Sequence, residues 1–95
     1  MAASAAEAAA YLKTLAHEGR LMILCHLSAG EKSVGELETL LEVRQAAVSQ
    51  MLARLRDEGL VATRREGKTI FYSLADSNTE AVIGLLYNLF CGRDG

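Results

Sequence analysis

The sequence contains no proline and no tryptophan, and only two of its 95 residues are cysteine. No apolar stretch approaches the ~18 residues of a membrane-spanning helix, so no contact with a membrane is predicted. The N-terminal stretch MAASAAEAAAYL lacks a basic region followed by a strong apolar core and therefore does not resemble a signal peptide. These absences predict a cytoplasmic protein, in which two cysteines are more often thiols than a structural disulfide.

The length and composition predict a single small domain over residues 1–95, since half of the chain is apolar. A domain of this size has a marginal core, which dimerisation would reinforce. The net charge is −2, but residues 44–73 carry six basic and three acidic side chains, while the remaining residues carry four basic and nine acidic ones. This asymmetry indicates a basic face of the kind that binds DNA, although a solvated charged stretch gives the same excess.

Three serines are each followed by a glutamate three residues later, in SAAE at Ser4, SVGE at Ser33 and SNTE at Ser77. This spacing is typical of a capping box at a helix start. It predicts helices over 5–15, 34–41 and 78–91. The run GRLMILCHLSAG, apolar on nearly all sides and ending at Gly30, predicts a buried helix over 19–28.

A further helix is predicted over 45–58, where apolar residues recur at helical spacing. Gly59 followed by Leu60 indicates a Schellman stop after it. The apolar residues then alternate in two short segments separated by REGK, which predicts a β-hairpin. The fold class is therefore mainly α with a β-hairpin wing, in the order of four helices, two strands and a last helix.

Only the residues EVR separate the helices at 34–41 and 45–58, so the pair predicts a helix-turn-helix whose second helix enters the DNA major groove. Gln45, Ser49 and Gln50 fall on or near its outer face, and these side chains can bond to base edges. Basic residues on the helix and on the hairpin are predicted to hold phosphates. They are Arg44, Arg54 and Arg56 on the helix, and Arg64, Arg65 and Lys68 at the hairpin tip.

Between residues 12 and 91 the chain resembles the ArsR/SmtB repressors, bacterial winged-helix homodimers that leave operator DNA when an inducer binds. The resemblance lies in LKTLAHEGRLMILCHL and in AAVSQMLARLRDEGLVATRREGKTIFYSL. It implies a homodimer built from the first and last helices, with double-stranded operator DNA contacted by Gln45, Ser49, Gln50 and the wing. Met51 stands where members often have histidine, a departure expected to alter operator preference.

Two metal sites familiar in ArsR/SmtB proteins are missing here. The helix before the recognition helix, SVGELETL, has no cysteine, and the last helix has no histidine. Cys25 and His26 are adjacent and point about 100° apart on a helix, while His17 suits a capping role. We therefore predict no closed zinc site and no cofactor. Two-coordinate Cu(I), or a soft metalloid with a third ligand, remains an alternative inducer.

Cysteines on the second and last helices, without either metal site, resemble the dithiol subgroup of sulfide-responsive ArsR/SmtB repressors. The resemblance implies that Cys25 and Cys91 are the sensing pair, which persulfides or polysulfides link within one subunit so that DNA affinity falls. General thiol oxidation is a further alternative, and either cysteine can simply fill space in the core. Cys25, within an apolar helix, is expected to resist ionisation.

Two functions outside this family are disfavoured. An enzyme of the thiol oxidoreductase class is not predicted, because the chain has neither C-x-x-C nor a βαβ pattern. A winged-helix module that binds only proteins would not need basic residues at both the recognition helix and the wing.

Overall fold

The computed structural model describes residues 2–91, which form five α-helices and three short β-strands. The helices are α1 (Ala2–Leu15), α2 (Glu18–Ser28), α3 (Val34–Leu41), α4 (Gln45–Asp57) and α5 (Ser77–Phe90). The strands are β1 (Lys32–Ser33), β2 (Val61–Glu66) and β3 (Thr69–Leu74). The predicted fold class and element order are confirmed. The two-residue strand β1 was not predicted, because it is too short to show alternation.

The three strands form one antiparallel sheet in the order β1-β3-β2. Strands β2 and β3 pair from Val61 opposite Leu74 to Glu66 opposite Thr69, and β1 adds its pairs on the other side of β3. Gly67 and Lys68 make the hairpin turn, and the φ of Gly67 is +61°, the sign that a type II′ turn requires at its first central residue. We call β2, β3 and this turn the wing.

Helix α2 lies at the centre of the fold, as its apolar sequence predicts. It packs against α1, α3, α4, α5 and β3, and Ile23, Leu24 and Leu27 are buried in these contacts. The apolar stripe of α4 is buried against the same core. A bilayer-crossing helix is absent from the part of the chain that the structure describes.

Only one of the three predicted capping boxes is present. The Ser33 hydroxyl accepts a hydrogen bond from the Glu36 amide at 3.2 Å, and the Glu36 carboxylate accepts one from the Ser33 amide at 2.9 Å. The other two predictions are wrong. Helix α1 already contains Ser4, because the alanines around it are strong helix formers. Helix α5 is capped one residue earlier, by the Asp76 carboxylate, which accepts from the Thr79 amide at 2.8 Å.

Two predicted helix termini are confirmed in atomic detail. After α4, the Leu60 amide donates to the Leu55 carbonyl at 2.9 Å and the Gly59 amide to the Arg56 carbonyl at 3.0 Å, which are the two bonds of a Schellman motif. Gly59 has a φ of +78°, in the left-handed region that this motif uses. At the start of α2, the His17 ring accepts a hydrogen bond from the amide of Arg20.

Candidate nucleic-acid interface and cysteine pair

The turn between α3 and α4 places the two helices as a helix-turn-helix. Glu42 ends α3 in the left-handed conformation, with φ 57° and ψ 41°, and its amide donates to the Glu38 carbonyl at 2.9 Å. Arg44 precedes α4 in an extended conformation and makes no side-chain cap to it. The Ala47 amide donates to the Arg44 carbonyl at 3.0 Å, while the amides of Gln45 and Ala46 keep their capacity to donate to an acceptor such as a DNA phosphate.

Helix α4 presents a polar face opposite its buried stripe. Val48, Leu52 and Leu55 are at most 1% exposed. Gln45, Ser49 and Gln50 are all exposed, and Gln45 and Ser49 stand one turn apart on the same side. The sequence placed these residues on the outer face correctly, and their contact with base edges stays a prediction.

Four of the basic residues assigned to phosphates are exposed and make no ion pair within residues 2–91. These are Arg44, Arg56, Arg65 and Lys68. Arg54 forms a helical pair with Glu58 at 3.4 Å, between groups that both remain substantially exposed. An exposed pair of this kind is weak enough for a phosphate to compete with it.

Arg64 is placed differently from the other bases of the wing. Its guanidinium donates from two nitrogens to the carboxylate of Glu31 and from a third, at 2.8 Å, to Glu66. It also lies over the ring of Phe71, 4.9 Å from the centroid, because the strand register sets Arg64 opposite Phe71. We call these four residues the Arg64 cluster. The expectation that Arg64 and Arg65 stand at the hairpin tip is wrong, since both lie within β2 and the turn is formed by Gly67 and Lys68.

The contacts within the Arg64 cluster shift the pKa values of Glu31 and Arg64. The hydrogen bond from Arg64 lowers the pKa of the Glu31 carboxyl, and the two carboxylates raise the pKa of Arg64. At neutral pH the cluster therefore holds two negative charges and one positive charge. Glu31 was missed by the sequence reasoning because it lies 33 positions from Arg64. Only Glu66, two residues along the same strand and so on the same face, could have been anticipated.

The two cysteines lie on two helices that pack together, α2 and α5. Cys25 is half-buried on α2, and Cys91 is the exposed C-cap residue of α5, with its amide donating to the Tyr87 carbonyl at 2.7 Å. Burial raises the pKa of Cys25, and the negative charge of a Cys91 thiolate raises it further. Cys25 thus resists ionisation, as expected. Both cysteines are free thiols.

No group of three or more His, Cys, Asp or Glu side chains is arranged to hold a metal ion in the part of the chain that the structure describes. His17 is engaged as the cap of α2. Large apolar side chains remain exposed on α1 and α5, the two helices assigned to the dimer. Leu12 on α1 is 59% exposed, and Leu85 and Leu89, one turn apart on α5, are 58% and 53% exposed.

The relatives that comparison with known proteins finds are transcriptional regulators. Residues 17–63 match the family described as "Bacterial regulatory protein, arsR family". The chain is 53% identical to a biofilm growth-associated repressor of Agrobacterium fabrum over 95% of its own length and 77% of the repressor's. It is 50% identical to the transcriptional activator HlyU of Vibrio cholerae, over 96% of the chain and 84% of HlyU.

Solved structures of transcriptional regulators have the same fold as this chain. Reduced HlyU from Vibrio cholerae superposes with a TM-score of 0.92 at 49% identity, covering 96% of each chain. The transcriptional repressor BigR of Xylella fastidiosa superposes with a TM-score of 0.89 at 44% identity, covering all of this chain and 94% of BigR. These relatives are transcriptional regulators and not enzymes, which agrees with the prediction that this chain has no enzymatic activity.

Proposed function

The chain belongs to the ArsR family of bacterial regulatory proteins, and we propose that it is a homodimeric transcriptional repressor that releases operator DNA when persulfides crosslink Cys25 and Cys91. The observation that carries the proposal is that Cys25 lies on α2 and Cys91 at the end of α5, two helices that pack together in a helix-turn-helix protein. ArsR-family regulators bind operator DNA and are typically dimeric. The relatives include repressors and an activator, so repression itself is part of the proposal.

DNA binding is assigned to α4 and the wing. The exposed amide and hydroxyl groups of Gln45, Ser49 and Gln50 would read base edges in the major groove. The unpaired charges of Arg44, Arg56, Arg65 and Lys68, together with Arg54, would hold phosphates on both sides of that groove. A regulator that binds DNA in this way would act in the cytoplasm.

Dimerisation is assigned to α1 and α5, whose exposed leucines would be covered by a second subunit. Helix α5 has two apolar sides. Ile83 is buried in the subunit, while Leu85 and Leu89 face outward. A dimer is also what a helix-turn-helix protein needs to place two recognition helices in successive major grooves, about 34 Å apart.

The sensing chemistry follows from the unequal exposure of the two thiols. Cys91, exposed, would attack the outer sulfur of a persulfide, RSSH, and take it up as Cys–S–SH while RS⁻ leaves. The Cys25 thiolate would then attack the Cys91 sulfur, forming a disulfide and expelling HS⁻. If the Cys91 persulfide first attacks the outer sulfur of a second RSSH, it becomes Cys–S–S–SH and RS⁻ leaves. Attack of the Cys25 thiolate on the middle sulfur then gives a trisulfide bridge and expels HS⁻. Either bridge ties the end of α5 to α2 and so alters the subunit geometry that operator binding requires.

Intact-mass spectrometry on the reduced protein tests the inducer. Separate samples are incubated with glutathione persulfide, hydrogen peroxide, diamide and Cu(I), each followed by an operator gel shift, with Cys25→Ser and Cys91→Ser as matched controls. We expect a crosslink within one subunit and loss of the shifted band with persulfide, and neither in the two variants. An equal response to peroxide and diamide would indicate a general thiol-oxidation sensor. A copper adduct that alone releases DNA would indicate a soft-metal sensor.

A promoter–reporter assay separates repression from activation. Deleting the gene should raise expression from the bound promoter if the protein is a repressor, and lower it if it is an activator. Complementation with the Cys25→Ser variant should restore repression and remove its response to sulfide.

A further inference from the structure

The Arg64 cluster joins two parts of the molecule that the backbone connects only indirectly. Glu31 follows Gly30, where α2 ends with a φ of +142° and an amide bonded to the Leu27 carbonyl at 3.0 Å. It precedes β1, whose Ser33 is also the cap residue of α3. Glu31 therefore lies at the junction between α2, which carries Cys25, and the first helix of the helix-turn-helix.

The side chains of Arg64 and Glu31 are 49% and 39% exposed, and a single ion pair at that exposure is weak. Arg64 instead makes four contacts, one of them to Glu66 at 2.8 Å. Its Nε donates to Glu31 at 3.2 Å, a second nitrogen donates to the other oxygen of the same carboxylate, and Phe71 supports the plane of the guanidinium. A two-point contact between a planar guanidinium and a carboxylate determines orientation as well as distance. The outer strand β2 is thus tied to the end of α2 by a side-chain contact, whereas the backbone ladder reaches β1 only through β3.

We propose that Glu31 and Arg64 form a latch that sets the position of the wing relative to α2, and that Arg64 is a positioning residue and not a phosphate contact. The bases left to meet DNA on the wing are Arg65 and Lys68. Because α2 also carries Cys25, the latch transmits a displacement of α2 to the wing when the cysteines are crosslinked. This last consequence rests on the proposed function.

A simpler role for the two carboxylates is to mask the charge of Arg64 from DNA. The two roles make opposite predictions for Glu31→Gln. If Glu31 only masks Arg64, removing its charge frees a cation and strengthens DNA binding. If Glu31 holds the latch, the same substitution releases the wing and weakens binding. Glu66→Gln is a matched control, since it removes the same charge from Arg64 but leaves the contact with Glu31 in place.

The test measures the affinity of the reduced full-length protein for a fixed operator duplex over a range of salt concentrations. We expect Glu31→Gln to weaken binding about two- to fivefold, the effect of losing one exposed ion pair, with an unchanged salt slope. Glu66→Gln should bind as well as wild type or better. The conservative variant Glu31→Asp, which keeps the carboxylate, should recover most of the affinity. Equal strengthening by Glu31→Gln and Glu66→Gln would overturn the proposal in favour of masking.

Hydrogen exchange on the free protein tests the latch without DNA. Backbone amides of β1 and β2 should exchange faster in Glu31→Gln than in wild type and remain unchanged in Glu66→Gln. Unchanged exchange in Glu31→Gln would overturn the latch even if the protein proves to be a repressor. Failure of the wild-type protein to bind any duplex would instead contradict the proposed function and leave this exchange comparison decisive for the latch.

A further measurement tests whether the latch couples the cysteine pair to the wing. The loss of DNA affinity on crosslinking Cys25 to Cys91 should be smaller, as a ratio, in Glu31→Gln than in Glu66→Gln. An identical ratio in the two variants would show that the crosslink reaches the DNA by another route.

Discussion

Gly19 and Met51 meet where α2 crosses α4, and a Cβ atom at Gly19 would lie only 2.4 Å from the Met51 sulfur. Met51 is half-buried on α4, the recognition helix. Its thioether occupies the space that a side chain at position 19 would fill. A side chain at position 19 would therefore require the end of the Met51 side chain to move. Met51, which stands where members of the family often have histidine, therefore has a packing role in this protein.

Gly19→Ala tests this contact together with Met51→Ala. Alanine favours the helix by up to about 1 kcal/mol, and moving the flexible end of the Met51 side chain offsets part or all of that gain. We expect Gly19→Ala to stabilise the Met51→Ala protein by up to about 1 kcal/mol and to stabilise the wild-type protein by less. Urea unfolding of the four proteins at one protein concentration measures both values. An equal effect in both backgrounds would contradict the contact.

A second prediction compares two residues in the left-handed region. Glu42, in the turn of the helix-turn-helix, has a φ of +57°, and Gly59, after α4, has a φ of +78°. Only glycine adopts this region without a penalty, which is about 1 kcal/mol for other residues. Glu42→Gly should therefore raise the free energy of unfolding by about 0.5–1 kcal/mol, and Gly59→Ala should lower it by about 1 kcal/mol.

Thermal unfolding of these two variants beside wild type gives the comparison. Gly59→Ala reports the backbone alone, since a Cβ there meets no atom within 4 Å. A lower melting temperature for Glu42→Gly would show that the Glu42 side chain stabilises the turn by more than its backbone conformation costs.

A third prediction separates base contacts from phosphate contacts. Gln45→Ala should weaken binding to a duplex selected by the wild-type protein by about 1–3 kcal/mol and leave binding to a scrambled duplex unchanged. Lys68→Ala should weaken binding to both duplexes and reduce the salt slope by about 1. Affinities measured at several salt concentrations give both quantities. Equal weakening of both duplexes by Gln45→Ala would place its side chain near the phosphates instead of the bases.

The parts of the fold that could be predicted from the sequence are those whose causes lie within a few residues. The Ser33 capping box and the Schellman motif at Gly59 each involve neighbours along the chain. The errors at Ser4 and Ser77 arose where two local signals competed. Alanines extend α1 past Ser4, and Asp76 takes the capping position immediately before Ser77.

The candidate site was predicted in its exposed residues but not in its long-range contacts. The outer face of α4 follows from the position of its buried stripe, so Gln45 and Ser49 were placed correctly. The partner of Arg64 could not be predicted, because Glu31 reaches it only through the pairing of β1 with β3. Chain positions alone do not bring Cys25 to Cys91 either. The position of Cys91 relative to Cys25 depends on how α5 packs on α2.

A fourth prediction concerns the dimer. Leu85→Glu and Leu89→Glu place a charge on the exposed side of α5, where burial by a second subunit would desolvate it. We expect either variant to sediment as a monomer at concentrations where wild type is a dimer. Leu40→Glu on α3, also at an exposed leucine, is the matched control and should remain dimeric. Dissociation in the control alone would assign the interface to α3.

The fifth prediction concerns the ionisation of Cys25. Burial raises its pKa, and the charge of a Cys91 thiolate raises it further. Because the thiolate is the form that iodoacetamide alkylates, the alkylation rate of Cys25 follows its ionisation. Cys91→Ser removes the charge of the Cys91 thiolate and leaves Cys25 as buried as before. The pH–rate profile of Cys25 should therefore shift to lower pH, while its midpoint should stay at a higher pH than that of an exposed cysteine.

Initial alkylation rates with substoichiometric reagent, followed by the mass of the peptide containing Cys25, give this profile before Cys91 is consumed. Ser77→Ala, at the opposite end of α5 from Cys91, is the control and should leave the profile unchanged. Identical profiles in wild type and Cys91→Ser would mean that the two thiols do not influence each other. Because a crosslink within one subunit requires the two sulfurs to approach, that result would also remove the basis for persulfide sensing by this pair.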